Sequence, residues 1–312
     1  MKEQVAVPAA EFRSYYGRPV LKPPVWEWKI PAYLFTGGLS AGSAVLGAGA
    51  DLTGRPVLRR ASRLGALGAL AASMYLLVAD LGRPERFLHM LRVAKPSSPM
   101  SMGTWILVAY GPGAGLAAVA EVVPAHWRLG RLVRWASRPA GLSAAAIAPA
   151  VASYSSVLLS QTAVPAWRDA HRQLPFVFTG SAAASGAGLG LVFAPLSEAG
   201  PARRLAVTGA AAEVVASKVV DRRLGLTSQA YTSGKAHRLR RWAEYLTVGG
   251  AMGALAGRRS RAVSVASGLA LLAGSALQRF GVFEAGLEST KDPKYVVVPQ
   301  RERVRSRENA SR

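Results

Sequence analysis

No cysteine occurs in these 312 residues, which removes disulfides, thiolate zinc sites and ordinary iron–sulfur ligation from this chain. Histidine is nearly as scarce. The four, His89, His126, His171 and His237, all fall in polar intervals between apolar blocks, so none stands at the depth where a haem inside a helix bundle takes its axial ligands. Acidic residues number 17 against 39 Lys and Arg, a formal charge of +22. Such an excess suits nucleic acid, acidic lipid or a basic membrane protein. The basic residues are neither set along amphipathic helices nor interleaved with aromatics, which argues against nucleic acid. The first 29 residues carry Pro8, Pro19, Pro23, Pro24 and several charges and lack the apolar core of a signal peptide, so the first hydrophobic helix is expected to be the insertion signal.

What the chain has instead is long Ala/Gly/Leu/Val blocks, with its charges crowded into the short intervals between them, the pattern of a polytopic membrane protein. Eight segments approach the roughly 20 residues that cross a bilayer: 30 to 50, 62 to 80, 103 to 123, 140 to 160, 175 to 194, 203 to 220, 242 to 257 and 262 to 283. Alternating strand patterns are missing, so helices are expected to satisfy the backbone in lipid. GGLSAG (37 to 42), GPGAG (111 to 115) and SGAGLG (185 to 190) place small residues four apart, where helices can pack closely.

YLFTGGLSAGSAVLG (33 to 47) aligns without gaps on FVFTGSAAASGAGLG (176 to 190), identical at seven of fifteen positions. Asp80, closing the second helix, has a counterpart in Asp221, closing the sixth. Four helices separate the copies, so the halves would share one orientation, a parallel repeat. The expected architecture is an all-α integral membrane protein of eight transmembrane helices in two repeated four-helix bundles. An N-terminal tail spans 1 to 29, the first bundle 30 to 160, the second 175 to 283 and a basic C-terminal tail 284 to 312. Arg-dense short loops at 51 to 61, 124 to 139, 195 to 202 and 258 to 261 place both termini on the outer face of the cell membrane.

Asp80 and Arg83 stand one turn apart where the second helix dissolves into DLGRPERF, close enough to pair, with Pro84 ending the helix just beyond. The pair would serve as a solvated salt bridge, or as a proton-exchanging carboxylate held ionised beside a quinone head group. Tyr33, near the same membrane face, is a candidate donor to a quinone carbonyl, and its repeat partner is Phe176, which has no hydroxyl. In SYSSVLLSQTAVPAW (153 to 167), Tyr154 and Gln161 lie on the end of the fourth helix, among hydroxyls that either bond neighbouring helices or meet substrate. Glu213 is costly at membrane depth and is a candidate step of a proton path, unless Lys218 five residues on compensates it. Asp51 and Glu121 read as interfacial. No metal site is expected.

WEWKIPAYLFTGGLSAG (26 to 42), DLGRPERF (80 to 87), SPMSMGTW (98 to 105), SQTAVPAW (160 to 167) and RFGVFEAGLESTKDP (279 to 293) together resemble the NrfD/PsrC family, the membrane subunits of molybdopterin-type oxidoreductases such as polysulfide reductase. The resemblance implies an eight-helix quinone- or menaquinone-binding subunit with no haem or iron–sulfur cluster of its own. Such a subunit docks a four-cluster ferredoxin-like iron–sulfur protein, which wires it to a molybdenum or tungsten bis-pterin catalytic subunit. By position in the motifs, Tyr33 stands at a first-helix quinone contact and Tyr154 at a fourth-helix tyrosine. Ile30 and Pro31 stand where some members carry a further polar contact. A reading from a different class stays open, a transporter with Glu213 as coupling carboxylate or a passive anchor, although Pro112 interrupts the third helix and the seventh has only glycines.

Overall fold

Helices begin where the sequence supplies a stop and a restart. Gly54 turns the chain with φ +65°, and Pro56 then opens a helix at a position where its missing N–H is no loss. Ser98 caps another by accepting from Ser101 N at 3.4 Å, and Ser260 does the same for Val263 N. The computed structural model describes residues 20–124 and 126–310 and has no strand among them. In chain order the helices are α1 Lys29–Leu52, α2 Pro56–Ala79, α3 Pro99–Val119, α4 Arg128–Ser160, α5 Pro165–Asp169, α6 Leu174–Phe193, α7 Gly200–Arg223, α8 Ser228–Thr232, α9 Gly234–Ala256, α10 Arg261–Lys291 and α11 Lys294–Ala310. A 3-10 helix, Pro84–Leu91, fills the connection between α2 and α3.

Each expected segment overlaps one long helix, and five of these, α2, α3, α4, α6 and α10, are long and apolar enough to cross a membrane. The remaining three fall short for physical reasons. Helix α1 is packed by α2, α4 and α6, and small and hydroxyl side chains at those contacts, such as Ser40, Gly42 and Ser43, lower its apolar content. Helices α7 and α9 carry charges that face each other across a cavity described below. Part of the expected C-terminal tail is helix: α10 runs to Lys291 rather than stopping at 283, burying Gly286, Ser289 and Thr290, and α11 follows. The expected N-terminal tail lies outside the described residues up to position 19. Beyond that, Trp26 stacks on Trp167 with ring centroids 5.8 Å apart.

The GGLSAG and SGAGLG motifs meet each other. A β-carbon on Gly42 would collide with the Ala182 carbonyl, and one on Gly186 with the Gly42 backbone, so α1 and α6 cross at main-chain contact. The aligned glycines take matching neighbours: Gly37 lies against Ser73 of α2, and Gly180 against Glu213 of α7. Around this crossing the core forms three clusters. One, at the end where α1 begins and α2 stops, gathers Tyr33, Leu159, Trp167, Phe178, Tyr231 and Phe283. Trp167 anchors it, donating Nε1 to the Val282 carbonyl at 2.8 Å and filling the space that Gly286 leaves open. A second, around Tyr110, fills the space between α1, α2, α3 and α4, and the third, around Leu58 and Leu271, lies towards the opposite end.

Candidate functional site

Tyr154, Gln161 and Asp80 lie towards the end of the molecule defined by Tyr33 and Trp167, while Glu213 lies deeper, near the midpoint of α7. Apart from Tyr33, which is in the core, the expected site residues separate into three places. The first is a cavity of about 430 Å³ between α3 and α4. Tyr154 and Gln161 line it from α4, joined by Ser153, while Pro99, Met102 and Ile106 of α3 form the facing wall. The positions follow from helix periodicity: Ser153, Tyr154, Val157 and Gln161 recur at intervals of one, three and four, which keeps them on one face. Gly103 in SPMSMGTW is required here, because a β-carbon would strike the Tyr154 ring. The DLGRPERF connection leads into the same rim through Pro96 and Ser97. A polar end and apolar walls suit a flat ring with a hydrocarbon tail.

Tyr33 is not in that cavity. It is packed in the core beside the first-helix residues Ile30 and Leu34, 3% exposed, and its carbonyl accepts from Ser73 Oγ at 3.3 Å and Thr36 Oγ1 at 3.2 Å. Tyr154 packs on that same cluster from its α4 side. Phe176, the repeat partner of Tyr33, is 67% exposed.

Asp80 is the second place. Helix α2 stops at Ala79 with Asp80 as its C-cap, as expected of the residue that closes it, but no helical turn continues to Pro84, and Arg83 has extended backbone at φ −138° as it enters the 3-10 helix. The i, i+3 geometry that would have joined Asp80 to Arg83 is lost, and among the described residues no ion pair links them. The charge beside Asp80 is Lys29, whose Nζ donates to the Ala79 carbonyl at 3.3 Å and lies 4.0 Å from Glu27. Partial burial raises the Asp80 carboxyl above its usual value, with Lys29 pulling it down and Glu27 adding to the rise. Asp221, its expected counterpart, lies inside α7 and pairs with Arg240 at 2.7 Å.

The third place is Glu213, 3% exposed on α7. Lys218 does not compensate it, because Lys218 pairs with Glu244 at 2.8 Å. The opposing charge is Arg279 of α10, fully buried, which donates Nη2 to the Phe178 carbonyl at 2.7 Å and lies over the Phe178 ring at 3.8 Å. Arg279 is within reach of a sequence reading, since RFGVFEAG holds an arginine beside small residues. A helix ending at 283 would leave it interfacial, and the extra turns to Lys291 put it deep.

A further buried arginine, Arg63, is not signalled by the sequence. It is 5% exposed and bridges Glu121 at 2.9 Å and Asp51 at 3.3 Å, with Arg59 reaching Glu121 at 2.7 Å. Asp51 and Glu121 therefore tie the far ends of α1, α2 and α3 together. Among the described residues no group of three His, Asp or Glu side chains is arranged to hold a metal.

A family model described as polysulphide reductase, NrfD, matches residues 20–210. The C subunit of the polysulfide reductase of Wolinella succinogenes is 35% identical over 94 residues, 28% of this chain and 30% of that one. This protein thus aligns with under a third of the length of that relative. The family match runs through both motifs that wall the α3–α4 cavity, SPMSMGTW and SQTAVPAW.

Proposed function

The chain belongs to the polysulphide reductase NrfD family, and from that premise we propose that it is the quinone-reactive membrane subunit of a multisubunit oxidoreductase. It is a multi-pass membrane protein of that family. In this reading all eight long helices span the cell membrane as two four-helix units, with the termini on the outer face. The quinone or quinol enters the α3–α4 cavity from the lipid, and the observation that carries the assignment is the pairing of Tyr154 with Gln161 inside it. The Tyr154 hydroxyl and the Gln161 amide both can donate to a ring carbonyl, which orients the head group. Tyr33 supports the wall rather than the ring. Asp80 exchanges protons with the solvent at the same face, and Arg83, exposed and unpaired with Asp80, is left to meet a partner.

A lipid-soluble carrier supplies the two-electron chemistry, and this chain's residues bind it, orient it and handle its protons. The electrons pass to or from a partner, in this reading a four-cluster ferredoxin-like iron–sulfur subunit joined to a molybdenum or tungsten bis-pterin subunit. The relative is named as one lettered component of a reductase, which supports a multisubunit setting. Purification from the native membrane in mild detergent tests this reading. A cysteine-rich ferredoxin-like partner should co-purify in equal amount, whereas a stable lone chain would favour the transporter or passive-anchor reading.

A further inference from the structure

Helices α7, α8 and α9 enclose a cavity of about 330 Å³ that the quinone reading does not use. On α7 its wall is Glu213, Val214, Ser217, Lys218 and Asp221, a spacing of one, three and four that marks a single helix face. Two ion pairs and one further arginine line the cavity. Lys218 meets Glu244 at 2.8 Å, Asp221 meets Arg240 at 2.7 Å, and Arg241 bonds the Tyr245 hydroxyl at 2.7 Å, with His237 beside them. Further in, Gln278 donates to Ser217 Oγ at 3.1 Å. The cavity ends at Glu213, ten residues or about 15 Å from the end of α7, close to the helix midpoint.

Glu213 lies under the charge of Arg279 from α10, although no ion pair joins the two among the described residues, and Ser181 of α6 bonds Ser275 Oγ at 2.8 Å. Glu213 Oε2 is buried and has no hydrogen-bond partner among the described residues, nor have Nε and Nη1 of Arg279. Buried polar atoms left in this condition are normally met by water. A hydrated cation of the calcium or magnesium class wants six or more oxygens, and one carboxylate opposed by an arginine offers nothing of the kind. A proton needs only one acceptor and a chain of hydrogen-bonding groups leading to it.

We propose that this cavity is a one-sided aqueous half-channel, through which Glu213 takes up and releases a proton from the membrane face that carries Asp80. The proton arrives on water, forms an O–H bond on a Glu213 carboxylate oxygen and leaves neutral water behind. Arg279 stays charged throughout, and no electron or leaving group is involved. The site is separate from the α3–α4 cavity, so the half-channel operates whether or not a quinone binds there.

The absence of native cysteine makes the test direct. Single variants Val214→Cys on the cavity wall, Val215→Cys on the 63% exposed outer surface of α7 and Gln229→Cys on α8 are made in the full chain in sealed vesicles. Each is treated with a charged, membrane-impermeant thiol reagent from either side. Because only a hydrated thiol ionises and reacts readily, Val214→Cys should label at least about tenfold faster than Val215→Cys, and only from the side that labels Gln229→Cys. An unlabelled Val214→Cys, or labelling from the other side, overturns the half-channel. For the proton, an infrared carboxyl band that responds to pH on that side should vanish in Glu213→Gln. A band that ignores that side's pH overturns Glu213 as the acceptor even where labelling succeeds.

Discussion

In an assembled complex, Asp80→Asn should lower quinone-linked turnover by about two to four orders of magnitude, the contribution of a well-placed proton-exchanging side chain. Dye-linked turnover of the catalytic subunit should stay at the wild-type rate. Asn is nearly the same size as Asp and hydrogen-bonds similarly, so the loss isolates proton exchange from packing. The pH profile gives the sign. Partial burial holds the Asp80 carboxyl above its usual value, so it keeps its proton to a higher pH than a free aspartate. If it accepts protons during quinol oxidation, the rate falls as pH drops through that raised value, and this acid limb disappears in Asp80→Asn. Unchanged quinone-linked rates in a correctly assembled variant would remove Asp80 from the mechanism.

The second large effect lies in the buried charges. Arg279→Met removes the fully buried arginine whose charge acts on Glu213, itself 3% exposed. No direct ion pair joins the two among the described residues, so the expected loss lies below the cost of about 3–5 kcal/mol for breaking a contacting buried pair. Pairing it with Glu213→Gln should restore most of that stability, because the double variant buries no net charge and recovers the desolvation cost of both groups. Thermal unfolding of the purified complex, comparing the two singles and the double, measures it. Additive losses would mean that the two residues act independently and that the electrostatic link between α7 and α10 is unimportant.

The helices are legible in the sequence because lipid imposes a length and an apolar composition on each block. The starts of α2 and α3 are not: α2 opens at Pro56 and α3 at Pro99 after the Ser98 cap, ahead of the expected 62 and 103, because proline and capping chemistry rather than apolar character sets those boundaries. The small-residue motifs are legible as packing, and Gly42 against Gly186 is that packing. Partners across helices are not. The sequence places Arg83 one turn from Asp80, but the chain leaves the helix at Asp80, and Lys29, whose ammonium bonds the Ala79 carbonyl fifty residues away in sequence, is the charge beside the carboxylate. Lys218 lies five residues from Glu213 in sequence, yet position on the helix face sends it to Glu244, while Arg279 arrives from a helix whose end charged residues disguise. Tyr154 and Gln161 are identifiable as polar groups near a helix end. Their common cavity depends on Gly103, a residue whose role is visible only when α3 lies against α4.

A photoreactive quinone, activated in the purified complex and mapped by peptide sequencing, tests the location of the site most directly. The label should fall on 96 to 106 and 150 to 161, the two walls around Tyr154 and Gln161, and excess natural quinone should suppress it. Labelling confined to the apolar groove between α6 and α7, lined by Phe176, Ala183, Ala212 and Val215, or a label that natural quinone does not displace, would contradict the assignment.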